Sequence, residues 1–218
     1  KSKNKKPKTQ PTFRLTQNLE NFFKHYIPIE NELGIPTLDS CSVNMDDVTW
    51  INFNEREKIT EPENTVIHFY IEDYQFNVVW TRPDKYLDLF RQCRAVVVPD
   101  FSRYTDMPKS LQIYNTYRRY WCGRYWQDKG VKVIANMSWI HGNIEAWQYE
   151  NIPQNTICAA SYVHRHGDYS VVDKELLQMI TLVKPSKLYI KASTKACEHL
   201  QSLGIEFHQI PPYKYKCK

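Results

Sequence analysis

Glycine is scarce, with only 6 in 218 residues. A phosphate-binding loop made of backbone amides needs closely spaced glycines. The sequence has no Gly-x-Gly-x-x-Gly and no Walker A pattern, and it also lacks His-Glu-x-x-His and Gly-x-Ser-x-Gly. A nucleotide bound here would be held by side chains and helix N-termini. The 6 cysteines are Cys41, Cys93, Cys122, Cys158, Cys197 and Cys217, and no two are spaced Cys-x-x-Cys. That excludes a zinc knuckle or a dithiol redox pair. No apolar run approaches the roughly 20 residues of a membrane-spanning helix, so no membrane partner is expected. The lysine-rich start has no apolar stretch behind it and does not read as a secretory signal. The cysteines therefore read as buried reduced thiols, and the expected location is cytoplasmic, in a bacterial or phage-infected cell.

What is present is an ordinary globular composition, 42% hydrophobic and 24% charged, with an aromatic content of 14% that includes 15 Tyr and 6 Trp. The net charge of +5 is unevenly placed. Lys1, Lys3, Lys5, Lys6, Lys8 and Arg14 give residues 1–14 a charge of +6, and Lys214, Lys216 and Lys218 give residues 213–218 a charge of +3. The stretch between them carries −4. Both ends read as disordered basic tails. Lys3, Lys5, Lys6 and Lys8 are the candidate nucleic-acid contacts, since such an arm grips phosphates by releasing counterions. A solvated tail is the alternative.

Between the tails, residues 15–65 read as an N-terminal accessory segment packed on a main domain of residues 66–212. Thr16 is placed to cap a short helix carrying Leu19, Phe22, Phe23 and Tyr26. Pro28, Gly34 and Pro36 break the next stretch, and a weak strand is expected over Val48–Phe53. From residue 66 the pattern becomes regular. Strands are predicted at Val66–Ile71, Ala95–Val98, Val131–Met137, Ile157–Tyr162, Leu188–Ile190 and Ile205–Ile210. Helices are predicted from Pro83 to Phe90, Pro108 to about Lys129, Asp173 to Val183 and Thr194 to Leu203. Gly130 and Gly204 sit where left-handed helix caps belong. This alternation implies an α/β fold with a largely parallel open sheet of about six strands and flanking helices. An incomplete or distorted TIM-like barrel is the alternative.

Parallel sheets build sites at the carboxyl ends of their strands. The richest such end is residues 95–108, where a β-branched run stops at Pro99 and gives way to Asp100, Ser102, Tyr104 and Asp106. Asp73 follows the preceding strand. Asp73 and Asp100 are candidate catalytic residues, as ligands of a divalent metal ion or as an acid–base pair. Ser102 and Tyr104 complete the catalytic candidates and would orient a substrate. Asp106 is better placed to cap the helix that follows. On that helix Tyr114, Tyr117, Trp121 and Tyr125 read as a core stripe. Gln112, Asn115, Arg119 and Trp126 read as a second, mostly polar face, either solvated or facing a ligand. Arg118 and Arg119 are candidates to clamp a phosphate. Gln112, Asn115 and Trp139 complete the substrate-binding set. If Arg119 serves a site, Arg119→Ala should be neutral for stability. His164-Arg165-His166 has metal-ligand spacing, but Gly167 and Asp168 make it read as a surface loop.

One long motif carries a resemblance. It runs through Tyr70-Ile71-Glu72-Asp73-Tyr74-Gln75-Phe76, Trp80, Pro83-Asp84, Tyr86-Leu87, Pro99-Asp100-Phe101-Ser102, Tyr104-Thr105-Asp106-Met107-Pro108 and Gln112. It continues with Asn115, Tyr117-Arg118, Gly123, Tyr125-Trp126-Gln127, Gly130 and Trp139. Together these resemble the bacterial and phage family known as domain of unknown function 4417. The resemblance implies a phage or mobile-element role and assigns no activity. Two functions follow from the residues. One is an enzyme acting on a nucleotide or nucleic acid through an acidic, polar pocket at the strand ends. The other is a non-catalytic module binding nucleic acid or protein, including a structural phage component. No cofactor beyond a divalent metal ion is indicated, and no protein partner is identifiable.

Overall fold

The computed structural model describes residue 21 and residues 24–25, 27–28, 30–162 and 170–211. Both basic tails, the residues named for a helix behind Thr16, and the His164–His166 loop lie outside the described residues. Each β-branched or small apolar run becomes one strand: β1 (Thr49–Asn52), β2 (Thr65–His68), β3 (Ala95–Val97), β4 (Val133–Asn136), β5 (Ile157–Ser161), β6 (Lys187–Lys191) and β7 (His208–Ile210). They form one sheet of 7 strands, all parallel, in the order of the sequence. The weak strand of the accessory segment is β1, which brings the expected six to seven.

The strand order selects the architecture. A doubly wound sheet reverses its strand order at a switch point; here the order runs from β1 to β7 without reversal. The sheet curls instead. The Trp50 ring of β1 lies 5.2 Å from the Tyr189 ring of β6, and Lys191 of β6 donates to Asn52 of β1 at 3.3 Å. β1 and β6 are not neighbours in the sheet, so these contacts cross its concave side. No ladder joins β7 to β1 among the described residues. The result is a nearly closed, barrel-like sheet, the alternative of the two architectures read from the sequence.

Strand side chains alternate between the two faces with period two. Trp50, Val66, Ala95, Val97, Ile134, Ile157, Ala159 and Tyr189 fill the inside of the curl. Ile51, Ile67, Val96, Val133, Ala135, Cys158, Ala160, Leu188 and Ile190 face the larger core under the helices. Cys41, Val43 and Met45 join the inner cluster. The Ile157 N–H donates to the Cys41 carbonyl at 3.2 Å, so the accessory segment covers the end where the strands begin. The opposite end, where the strands finish, is the polar one.

The helices are α1 (Val78–Thr81), α2 (Leu87–Gln92), α3 (Lys109–Asp128), α4 (Ser170–Val183) and α5 (Thr194–Ser202). The helix expected from Pro83 begins only at Leu87. Pro108 takes the N-cap position of α3 and no side chain caps it, so Asp106 does not fill the capping role expected of it. Gly130 (φ 84°) and Gly204 (φ 72°) are left-handed, as their positions required. Gly123 lets α3 approach the sheet: a Cβ there would stand 2.9 Å from both Leu38 Cδ2 and Val98 Cγ2. Cys41, Cys93, Cys122, Cys158 and Cys197 are free and buried. No helix among the described residues is long and apolar enough to cross a membrane.

Candidate functional site

Inward-facing residues near the strand ends turn from apolar to polar: Asn52 on β1, Tyr70 after β2, Asn136 on β4 and Lys191 on β6. A continuous hydrogen-bonded chain joins most of them. Lys191 Nζ donates to the Tyr70 carbonyl at 3.0 Å. The Tyr70 hydroxyl lies 3.4 Å from Asn136 Oδ1. Asn136 Nδ2 donates to Asp100 Oδ1 at 3.0 Å, and Arg119 Nη2 lies 3.2 Å from the same oxygen. Arg119 Nη1 donates to Ser138 Oγ at 3.0 Å. Arg103 Nη2 donates to that hydroxyl at 2.9 Å and to the Ser138 carbonyl at 2.7 Å.

The electrostatics of this mouth are lopsided. The Arg119 side chain is 2% exposed and the Asp100 side chain 28%. Burial, then the neighbouring Arg119 charge, push the Arg103 guanidinium down to about 9, still charged at neutral pH. Burial also lowers the Lys191 ammonium, against the pull of Glu55 and Asp100. Tyr70 is pushed well above its usual range, first by burial and then by the Asp100 charge, so its hydroxyl stays protonated. Three cations thus face two acids, Asp100 and Glu55, the latter joined to Lys191 through Asn52, whose Nδ2 donates to Glu55 at 3.1 Å. Glu55, the other acid acting on Lys191, pairs with Lys58 at 3.0 Å. Arg103 Nε and Arg119 Nε are buried with no hydrogen-bond partner among the described residues.

The residues expected from the sequence divide into two groups. Asp100 and Arg119 converge in the mouth. Asp73 shares the same sheet edge, but its carboxylate is taken up by the loop: it accepts from the Ser102 N–H at 3.1 Å and the Ser102 hydroxyl at 2.8 Å. Tyr104 donates to Ser102 Oγ at 3.3 Å. Gln112 Nε2 holds the Tyr104 carbonyl at 2.8 Å, and Asn115 Nδ2 holds the Ser102 carbonyl at 2.6 Å. Arg118 donates to Asn115 at 2.6 Å and lies 4.0 Å over the Phe101 ring. Trp139 donates to buried Glu175 at 2.9 Å. These residues shape the loops around the mouth. Lys3, Lys5, Lys6 and Lys8 lie outside the described residues.

Of the two readings of the mostly polar face of α3, the solvated one is overturned: this face is turned to the sheet. Gln112, Asn115, Arg119 and Trp126 are all buried. Trp121 and Tyr125 are core, whereas Tyr114 and Tyr117 are only partly buried. Sequence reasoning missed Tyr70, Arg103, Asn136 and Lys191. Lys191 was within reach, because a lysine closing an apolar strand faces the strand-end site when its neighbours face the helices.

No group of three or more His, Cys, Asp or Glu side chains gathers among the described residues. A divalent cation at Asp100 would meet Arg119 on the same carboxylate, and Asp73 is already taken by Ser102 donors. The donor set does not fit a metal site.

Fold and site together define a parallel, barrel-like α/β protein with a cation-rich polar mouth at the carboxyl ends of its strands. The chain belongs to the family described as Domain of unknown function (DUF4417), whose model matches residues 27–209. It is 33% identical to the Gene 1 protein of Mycobacterium phage L5 over 139 residues, covering 62% of this chain and 60% of that one. It is 35% identical to the Gene 1 protein of Mycobacterium phage D29 over 95 residues, covering 44% of this chain and 35% of that one. The chain thus matches less than two thirds of the length of either relative. The family and these relatives make it a phage-associated protein. No solved structure matches it.

Proposed function

We propose that this protein is an enzyme acting on a nucleotide or nucleic acid, with a phosphate drawn into the mouth of the barrel. The observation that carries the reading is a surplus of cations at the mouth: buried Arg119, partly buried Arg103 and half-buried Lys191 face Asp100 and Glu55, and Glu55 is already paired with Lys58. Buried charge without a counter-charge is costly, and an anionic ligand would relieve it. Lys191 has three N–H donors and two protein acceptors, Asn52 and the Tyr70 carbonyl, among the described residues. Its third donor is available to a phosphate oxygen. Arg103 and Arg119 contribute field rather than contact, since their outer nitrogens are engaged by protein. Asp100, fixed by Arg119 and Asn136, is the group placed to accept or return a proton. The setting is the phage-infected cytoplasm, in a mobile-element role.

Titration of the purified full chain with pyrophosphate and with a panel of nucleotides and oligonucleotides, with product analysis, tests this. Pyrophosphate is expected to bind and to raise the melting temperature, and Lys191→Met to weaken binding at least about tenfold, the loss of one charge-assisted hydrogen bond. Asp100→Asn is expected to keep binding and lose turnover. Absence of binding at millimolar anion, or binding indifferent to Lys191→Met, would overturn the reading. Binding with no turnover on any substrate would leave the second reading, a non-catalytic module.

A further inference from the structure

Two of the most exposed aromatic rings of the described chain, Tyr74, 81% exposed, and Tyr104, 45% exposed, are carried by the segments that follow β2 and β3, at the same end of the sheet as the mouth. Large exposed aromatics have no role in the core. These two belong to loops after adjacent strands, β2 and β3, and the structure ties those loops together. Tyr74 follows Asp73, whose carboxylate holds Ser102 at 2.8 Å, and Ser102 in turn accepts from Tyr104 at 3.3 Å. Backbone carbonyls on both sides of Arg103 are pinned to α3 by Gln112 and Asn115. The rim loop is therefore rigid, and it changes direction residue by residue: Asp100 and Arg103 enter the charged mouth, while Ser102 and Tyr104 join the rim.

We infer that Tyr74 and Tyr104 form a stacking platform for a nucleobase whose phosphate lies in the mouth. This rests on the proposed anion site and names what is attached to the anion. Charge sets the polarity of the ligand. Glu72 and Asp106, each two residues from one of these tyrosines, are exposed, so the rim carries negative charge that disfavours phosphate and tolerates the neutral, flat face of a base. The mouth, with Arg103, Arg119 and Lys191, does the opposite. A ligand with a neutral aromatic end and an anionic end fits only in one orientation. Every base has a π-face, so the platform is expected to be tolerant of base identity.

The test compares three probes on the full chain by calorimetry: tripolyphosphate, a nucleoside triphosphate and a short single-stranded oligonucleotide. The wild type is expected to bind at least one of the two base-bearing probes about tenfold more tightly than tripolyphosphate, within the range of one base–aromatic stack. The double change Tyr74→Ala with Tyr104→Ala is expected to erase that preference while leaving tripolyphosphate affinity unchanged. The double Phe variant is expected to restore it. Both rings are exposed, so folding is not at risk, and unchanged melting curves verify this. Whichever base-bearing probe is weakened more identifies the source of the base. Equal affinity of the wild type for all three probes, or a preference that survives the double Ala change, would overturn the platform and leave the anion site standing. Failure of tripolyphosphate and both other probes to bind would remove both.

Discussion

His68 shows how much one residue feels the inside of the barrel. It is 3% exposed, with its ring 6.3 Å from that of Trp50 and 5.2 Å from that of Tyr70. Its Nδ1 has no hydrogen-bond partner among the described residues. Burial, then the Lys191 charge, lower its pKa from 6.5 to about 3, against a weaker pull from Glu55. The folded protein therefore keeps His68 neutral where the unfolded chain takes up a proton. The sign follows from linkage: this contribution is complete above the unfolded value of 6.5 and is lost as pH falls toward about 3. Over that window it makes stability drop by about 1.4 kcal/mol per pH unit. Urea melts between about pH 6 and pH 4 should show a slope shallower by roughly that amount in His68→Phe, which keeps the ring and loses the proton site. An identical slope would mean that the imidazole is protonated in the folded state.

At the scale of the element, α3 carries both architecture and site on one buried face. Trp121 is 1% exposed, with its ring 4.8 Å from Tyr125 and 5.5 Å from Trp80. Trp121→Ala is expected to cost about 3–5 kcal/mol. The spacing on the helix makes Arg119 look like a surface clamp, for which truncation would be neutral. Its burial beneath the strand ends says otherwise. Removing one partner of a buried ion pair costs about 3–5 kcal/mol, but Asp100 is partly hydrated, so Arg119→Ala is expected to cost nearer 2–3 kcal/mol. Both variants should lower the urea midpoint without changing the slope of the transition. A loss within about 0.5 kcal/mol for Arg119→Ala, as for a surface residue, would show that the guanidinium is not part of the framework. On the proposed reading Arg119 acts through Asp100, whose Oδ1 lies 3.2 Å from its Nη2, and does not touch the ligand. The spacing of Arg119 alone cannot reveal this, because a 20-residue helix shows its periodicity but not which stripe the sheet will claim.

For the whole molecule, charge is segregated: basic at the two ends and −4 across the stretch between them. The cationic mouth is an exception within that acidic body. If the protein grips nucleic acid through its tails, deleting residues 1–14 should weaken binding and flatten its dependence on salt, by about 0.9 in log–log slope for each duplex phosphate no longer neutralised. An unchanged slope would assign the binding to the mouth and the loops around it. Measuring affinity at several salt concentrations for the full and shortened chains separates the two.

The sequence by itself determined the element types and the end of the sheet where polar groups collect. Both are local properties. β-branched runs, helix-breaking glycines at residues 130 and 204, and the stop at Pro99 act through the backbone of the residues that carry them, so Asp100 stands out from the sequence alone. The count of strands was less legible, because β1 lies apart from the regular alternation and becomes a strand only by pairing with β2. Only the tertiary structure decided the curl of the sheet, which depends on Trp50 and Lys191 meeting partners more than a hundred residues away. The same curl links Lys191, Tyr70 and Asn136, from three separate strand ends, in one hydrogen-bonded chain that ends on Asp100. It also places Arg119 under the strands instead of in water. Those are long-range choices, set by which buried charge finds which partner, and no local pattern of spacing records them.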